Sequence, residues 1–90
     1  MKSLRVKSSF KKDIKKFKNN DKIKKILNEV IQKLLNEVEL DDKFKNHRLI
    51  NDYKNCFDCH ILPDLILIYS ITEIDITLIR LFNHSELLKK

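Results

Sequence analysis

The chain's three histidines, His47, His60 and His84, all fall in its second half, together with Asp58, Asp64 and Arg80. Histidine titrates near neutrality, so one side chain can serve as proton donor or proton acceptor. Arginine can grip two phosphate oxygens through its planar fork. Such a set suits cleavage of RNA through its own 2′-hydroxyl. That reaction needs a base for the hydroxyl proton, an acid for the departing 5′-oxygen and a cation for the charge on phosphorus. It calls for no metal and no other cofactor. If 54–62 is extended, Cys56, Asp58, His60 and Leu62 share one face, and Phe57, Cys59 and Ile61 take the other. If the last strand runs to residue 84, Ile76, Leu78, Arg80, Phe82 and His84 also share a face. The expectation is one exposed, concave surface carrying Asp58, His60, Arg80 and His84, with Asp64 at the nearby turn. The plain alternative is three surface histidines and an arginine in an ion pair.

The pentapeptide Cys56-Phe57-Asp58-Cys59-His60 also has the spacing of a haem-attachment signature. The rival metal reading is a zinc site built from Cys56, Cys59, His60 and either His47 or His84. In a strand, residues three apart point to opposite faces, which sets a shared haem, a shared zinc or a Cys56–Cys59 disulfide at a geometric disadvantage. Two free thiols in a reducing cytosol are expected instead.

The elements that must position these residues follow from apolar spacing. Leu4 to Ser8 alternates and predicts a short first strand. Ser8 or Ser9 can cap a helix in which Phe10, Ile14 and Phe17 form one apolar stripe among lysines. Asn19, Asn20 and Asp21 end it and cap the next. Ile23, Ile26, Leu27, Val30, Ile31, Leu34, Leu35 and Val38 then define a second helix over 22–38. Beyond it, strands are predicted at 46–51, 54–62, 65–69 and 76–82, with Pro63-Asp64 and 72–75 as turns. Helices followed by strands indicate an α+β fold, with two helices on one face of a mainly antiparallel sheet.

Ninety residues fit a single domain spanning 1–90. With 42% hydrophobic and 36% charged residues, the chain is too apolar for a disordered tail and too charged for a membrane protein. No apolar run approaches the ~18 residues of a membrane span, and the start lacks a signal-peptide core, so a cytoplasmic protein is expected. Charge is uneven. Residues 1–25 carry a local net of +9, while 26–90 carry −3. The N-terminal third therefore favours an anionic partner, unless its lysines are simply a solvated helix face.

Three segments carry a family resemblance. They are Phe44-Lys45-Asn46-His47-Arg48-Leu49, then Asp58-Cys59-His60-Ile61-Leu62-Pro63-Asp64 running into Leu65-Ile66-Leu67-Ile68-Tyr69, then Arg80-Leu81-Phe82-Asn83-His84-Ser85-Glu86-Leu87. Together, in order and on a chain of this length, they resemble the YafQ branch of the RelE toxins. The resemblance implies two helices packed on a small sheet and an mRNA-cleaving endoribonuclease that acts on the ribosome. It also implies a cognate antitoxin as partner, with the toxin monomeric alone and in a higher-order complex with that antitoxin. His47, His60, Asp64 and His84 match the family's catalytic positions and Arg80 its phosphate-gripping arginine. Lys11, Lys12, Lys15 and Lys54 are expected, from their charge, as further RNA-phosphate contacts. His84 is the expected proton-transfer residue, His60 and Asp64 its acid–base partners, and His47 a group that orients the phosphate. Phe57 stands where the family usually has a basic residue, Leu65 and Leu88 where it often has aromatics, and Asn51 where a Gly is common. These departures motivate a second reading, a non-catalytic module that binds antitoxin or RNA. A small Cys/His metal-binding domain is the third.

Overall fold

The computed structural model describes residues 1–48 and 56–83. Its elements are β1 (Ser3–Val6), α1 (Ser8–Lys15), α2 (Asp21–Leu35), a 3-10 turn (Asp42–Phe44), β2 (His47–Arg48), β3 (Cys56–Leu62), β4 (Leu65–Ile71) and β5 (Asp75–Asn83). The described strands form one sheet in the order β1-β5-β4-β3-β2, parallel between β1 and β5 and antiparallel elsewhere. The α+β layout with two helices packed against a mainly antiparallel sheet is as the residue pattern requires. The predicted 46–51 strand is cut to His47–Arg48, and its continuation from residue 49 lies outside the described residues.

The second helix is the clearest product of the sequence. Asn20 caps it, its Oδ1 accepting the Ile23 amide at 3.1 Å, which satisfies one of the orphan donors of the first turn. Ile23, Leu27, Val30, Leu34 and Leu35 are buried along its inner face. It stops at Leu35, three residues short of expectation. Glu37 takes a positive φ of 57°, and the amides of Glu37 and Val38 donate back to the carbonyls of Leu34 and Lys33. That is a Schellman closure, made with Glu because the chain has no glycine. Val38 is left exposed rather than on the buried face.

The first helix departs in its cap. Neither Ser8 nor Ser9 caps it; Lys7 occupies that position without a side-chain hydrogen bond. Ser9 instead donates its hydroxyl to the Ile79 carbonyl at 2.6 Å. The reason lies in the sheet. β1 pairs only with residues 75–78 of β5, so beyond Leu78 the outer edge of β5 needs other partners. α1 lies along that edge and supplies them from its side chains.

The core lies between the sheet and the helices. It joins Phe10, the α2 stripe, Phe44, Cys59, Ile61, Leu65, Leu67, Tyr69, Ile76, Leu78 and Leu81. Burying an apolar side chain of this size contributes roughly 1.5–3 kcal/mol, so this cluster dominates stability. β4, the middle strand, is buried from Leu65 to Tyr69, as its unbroken apolar run predicts.

Candidate functional site

Three cross-strand registers bring the chemistry to the face of the sheet opposite the helices. His47 pairs with Asp58, Asp58 with Ile68, and Ile68 with Arg80. Directly opposed residues point to the same face, so these four form a row across β2, β3, β4 and β5. One row further, His60 pairs with Ile66 and Ile66 with Phe82. His47, Asp58, His60 and Arg80 therefore share a face, with Asp64 exposed in the Pro63-Asp64 turn at its end.

The route by which Arg80 reaches that face differs from expectation. Simple alternation put Ile76, Leu78, Arg80 and Phe82 together. Instead Ile76, Leu78 and Leu81 belong to the helix-side core. The register slips at Ile79: Ile68 faces Arg80 while Tyr69 faces Leu78. This β-bulge changes the parity of the strand, turning Arg80 and Phe82 away from Leu78. The face is also not the open polar surface expected. Cys56, Ile66 and Ile68 on it are buried, because the central strand is apolar on both sides. The polar groups flank this apolar strip rather than filling it.

The polar residues differ in how they are satisfied. Asp58 is mostly buried, and its Oδ1 lacks a hydrogen-bond partner among the described residues. The nearest imidazole atom, His47 Nδ1, is 3.9 Å away. The Tyr69 hydroxyl, itself in the core, donates to Asn46 Oδ1 at 2.7 Å and pins the segment entering β2 just ahead of His47. His60 Nδ1 lies 3.2 Å from the Pro63 carbonyl. A carbonyl only accepts, so in this contact Nδ1 carries the proton and the neutral ring keeps its lone pair on Nε2. His60 and Arg80 are not in contact. They stand on the strands either side of β4, roughly 10 Å apart across the sheet at the usual strand spacing.

Arg80 is engaged at the outer edge of β5. Its Nε donates to Asp13 Oδ2 at 2.7 Å and its Nη2 to Asp13 Oδ1 at 3.3 Å. The Leu81 amide donates to the same Oδ2 at 2.8 Å. Its guanidinium also lies 5.5 Å from the centre of the Phe82 ring. Lys12 shares with Arg80, Asp13, Ser8 and Ser9 a cleft of about 320 Å³. Lys11, Lys12 and Lys15 are all exposed on α1. Asp13 was not among the candidate residues; its place on the Phe10–Phe17 stripe was the available signal.

The departures from the family pattern acquire physical explanations. Phe57 stacks on Tyr69, ring centres 5.7 Å apart, so it packs on the helix side. Leu65 is buried in the core and offers no stacking surface. Cys56 and Cys59 are free thiols. Cys59 is enclosed in the helix-side core, and burial followed by the nearby Asp58 charge pushes its pKa from 9.0 up to about 12. Among the described residues no group of three His, Cys, Asp or Glu side chains is arranged to hold a metal ion, so the Cys56, Cys59, His60 zinc arrangement is not formed with His47. His84, Lys54, Leu88 and Asn51 lie outside the described residues.

Comparison with known proteins places this geometry. The family model described as the YafQ toxin of bacterial type II toxin–antitoxin systems matches residues 2–89. The chain belongs to the YafQ toxin family. Among solved structures, a copper-bound mutant toxin from Helicobacter pylori is 40% identical with a TM-score of 0.87, covering 97% of this chain and 99% of that one. A metal-bound toxin from the same organism is 37% identical with a TM-score of 0.86 over 97% and 99% of the two chains. The YafQ chain of the Escherichia coli DinJ–YafQ complex is 28% identical with a TM-score of 0.85, over 97% and 98%. No curated protein sequence matches significantly. This family membership makes the chain a type II toxin–antitoxin toxin, and no helix among the described residues is long and apolar enough to cross a membrane.

Proposed function

We propose that this YafQ-family toxin is a ribosome-dependent endoribonuclease that cuts mRNA by acid–base chemistry through the RNA 2′-hydroxyl. The observation that carries the reading is the shared face of His47, Asp58, His60 and Arg80, drawn from three strands, β2, β3 and β5. RNA laid across this face would meet a cation at β5 and imidazoles at β3 and β2. His60, its Nδ1 turned to the Pro63 carbonyl, presents Nε2 as the base for the 2′-hydroxyl proton. Arg80 holds a phosphate, and His47 with Asp58 steadies the strand beyond it. His84 completes the set as the acid for the departing 5′-oxygen, and Asp64 orients the histidines. The donor set supplies acid and base from side chains, without a metal-bound water. Lys11, Lys12, Lys15 and Lys54 neutralise RNA phosphates, each adding salt-sensitive affinity.

The whole chain acts as one unit in the cytoplasm, monomeric alone and paired with a cognate antitoxin, as YafQ is with DinJ in the E. coli complex. The test is transcript mapping by primer extension after induced expression of wild type, His60→Ala and His84→Ala. Arrested growth with new mRNA ends that vanish in both variants is expected. Intact transcripts under a folded, antitoxin-binding wild type would favour the second reading, a binder without cleavage. Phe57 and Leu65, which spend their side chains in the core, are the observations that keep that reading in play.

A further inference from the structure

We infer that Asp13 is a positioning residue for Arg80, so that α1 sets the phosphate-binding guanidinium of the site; the inference rests on the nuclease reading above. Asp13 is the buried charged side chain among the described residues, only 5% exposed. A buried carboxylate is costly unless paired and hydrogen-bonded. Here it is both, accepting Nε and Nη2 of Arg80 and the Leu81 amide.

The geometry of those bonds carries the inference. Asp13 engages the side edge of the guanidinium, formed by Nε and Nη2. Those two bonds fix the plane of the guanidinium, the group whose fork geometry suits phosphate oxygens. Phe82 lies alongside the same guanidinium. An arginine with several rotatable bonds is thereby held in one orientation, which reduces the entropy lost when phosphate arrives. The same Oδ2 also ties down the Leu81 amide next to the bulge that turns Arg80 onto the face. Asp13 is 67 residues from Arg80. The site therefore depends on a helix whose exposed side carries Lys11, Lys12 and Lys15.

The rival role for Asp13 is charge neutralisation, in which its removal would strengthen phosphate binding. Cleavage of mRNA on purified ribosomes separates the two, using wild type, Asp13→Asn, Arg80→Ala and the double variant, each at a temperature where it is folded. Positioning predicts that Asp13→Asn lowers kcat about tenfold with little change in KM, and that the double variant is no slower than Arg80→Ala. Multiplying losses, or a faster Asp13→Asn, would overturn it. A second measurement needs no activity. In the free protein the Arg80 Nε–H should exchange slowly with solvent, and at least tenfold faster in Asp13→Asn. Equal exchange in both proteins overturns the positioning role even if cleavage is intact. A wild type that never cuts, yet shows the protected Nε–H, removes the nuclease reading and leaves the locked arginine standing.

Discussion

His47 and Asp58 face one another across the β2–β3 ladder, with Nδ1 3.9 Å from a carboxylate oxygen that is buried and without a hydrogen-bond partner among the described residues. A polar atom left unsatisfied costs about 1–3 kcal/mol, and more when charged. Such a cost is retained where it serves a site rather than the fold. We therefore predict that Asp58→Asn leaves stability unchanged or raises it, while mRNA cleavage falls about tenfold. Urea denaturation beside a ribosome-dependent cleavage assay checks both halves. A variant destabilised by more than about 1 kcal/mol would mean that Asp58 is structural.

At the other end of the face, His60 leans on the Pro63 carbonyl and is half-buried, outside the main core. Its removal takes little packing from the fold. His60→Ala is expected to cut cleavage by ~10²-fold or more, within the range for loss of a general acid or base, with the unfolding midpoint almost unmoved. Asp64→Ala, in the exposed turn beyond it, should reduce cleavage less. If His60→Ala cut mRNA at the wild-type rate, proton transfer would have to be assigned to other groups.

What could be read from the residues divides along physical lines. The α2 stripe, the Pro63-Asp64 turn and the buried β4 run announce themselves because each is local and periodic. The alternation along β3 held from Cys56 to Ile61, with Phe57, Cys59 and Ile61 turned to the helices, but not at Leu62. The register shifts after His60, so Leu62 pairs with Leu65 and packs against the core instead of sharing the face of Asp58 and His60. The placement of Arg80 by alternation failed because the bulge falls at Ile79, an apolar β-former with no glycine or proline to mark it. The face came out as an apolar strip flanked by polar groups rather than an open polar surface, since a run such as Leu65 to Tyr69 is apolar on both of its sides. Asp13 escaped notice because charge counting treats an acid among lysines as surface. Its spacing from Phe10 and Phe17 placed it on the buried stripe all along.

The lysines of α1 act at longer range. Lys11, Lys12 and Lys15 are exposed, so replacing all three with Gln should leave the unfolding free energy within about 0.5 kcal/mol of wild type. Association with ribosomes should weaken, and the slope of log affinity against log salt should fall by roughly 2, given about 0.7 counterions released per single-strand phosphate neutralised. Sedimentation with ribosomes across a salt series measures it. An unchanged slope would leave these side chains as a solvated face with no part in binding.

The core predicts its own pH limit. Cys59 is fully enclosed, and desolvation, then the Asp58 charge, raises its pKa from 9.0 to about 12. Tyr69, buried beside it with its hydroxyl on Asn46, is raised above its ordinary 10.0 mainly by desolvation. Both groups are neutral when protonated. The folded state therefore holds its protons to higher pH than the unfolded chain does, and stability falls with rising pH over that interval. The Cys59 contribution is complete below pH 9 and is lost between about pH 9 and 12, at up to ~1.4 kcal/mol per pH unit. Tyr69 adds to the fall from about pH 10 upward. Urea midpoints should be flat from pH 7 to 8.5 and decline steeply by pH 11, and Cys59→Ala, though less stable at neutrality, should decline more gently between pH 9 and 10. The same burial should keep Cys59 unreactive toward iodoacetamide at pH 8 until the protein unfolds. Rapid alkylation of Cys59 in the folded protein, or a midpoint constant to pH 11, would mean that this thiol is not enclosed as described.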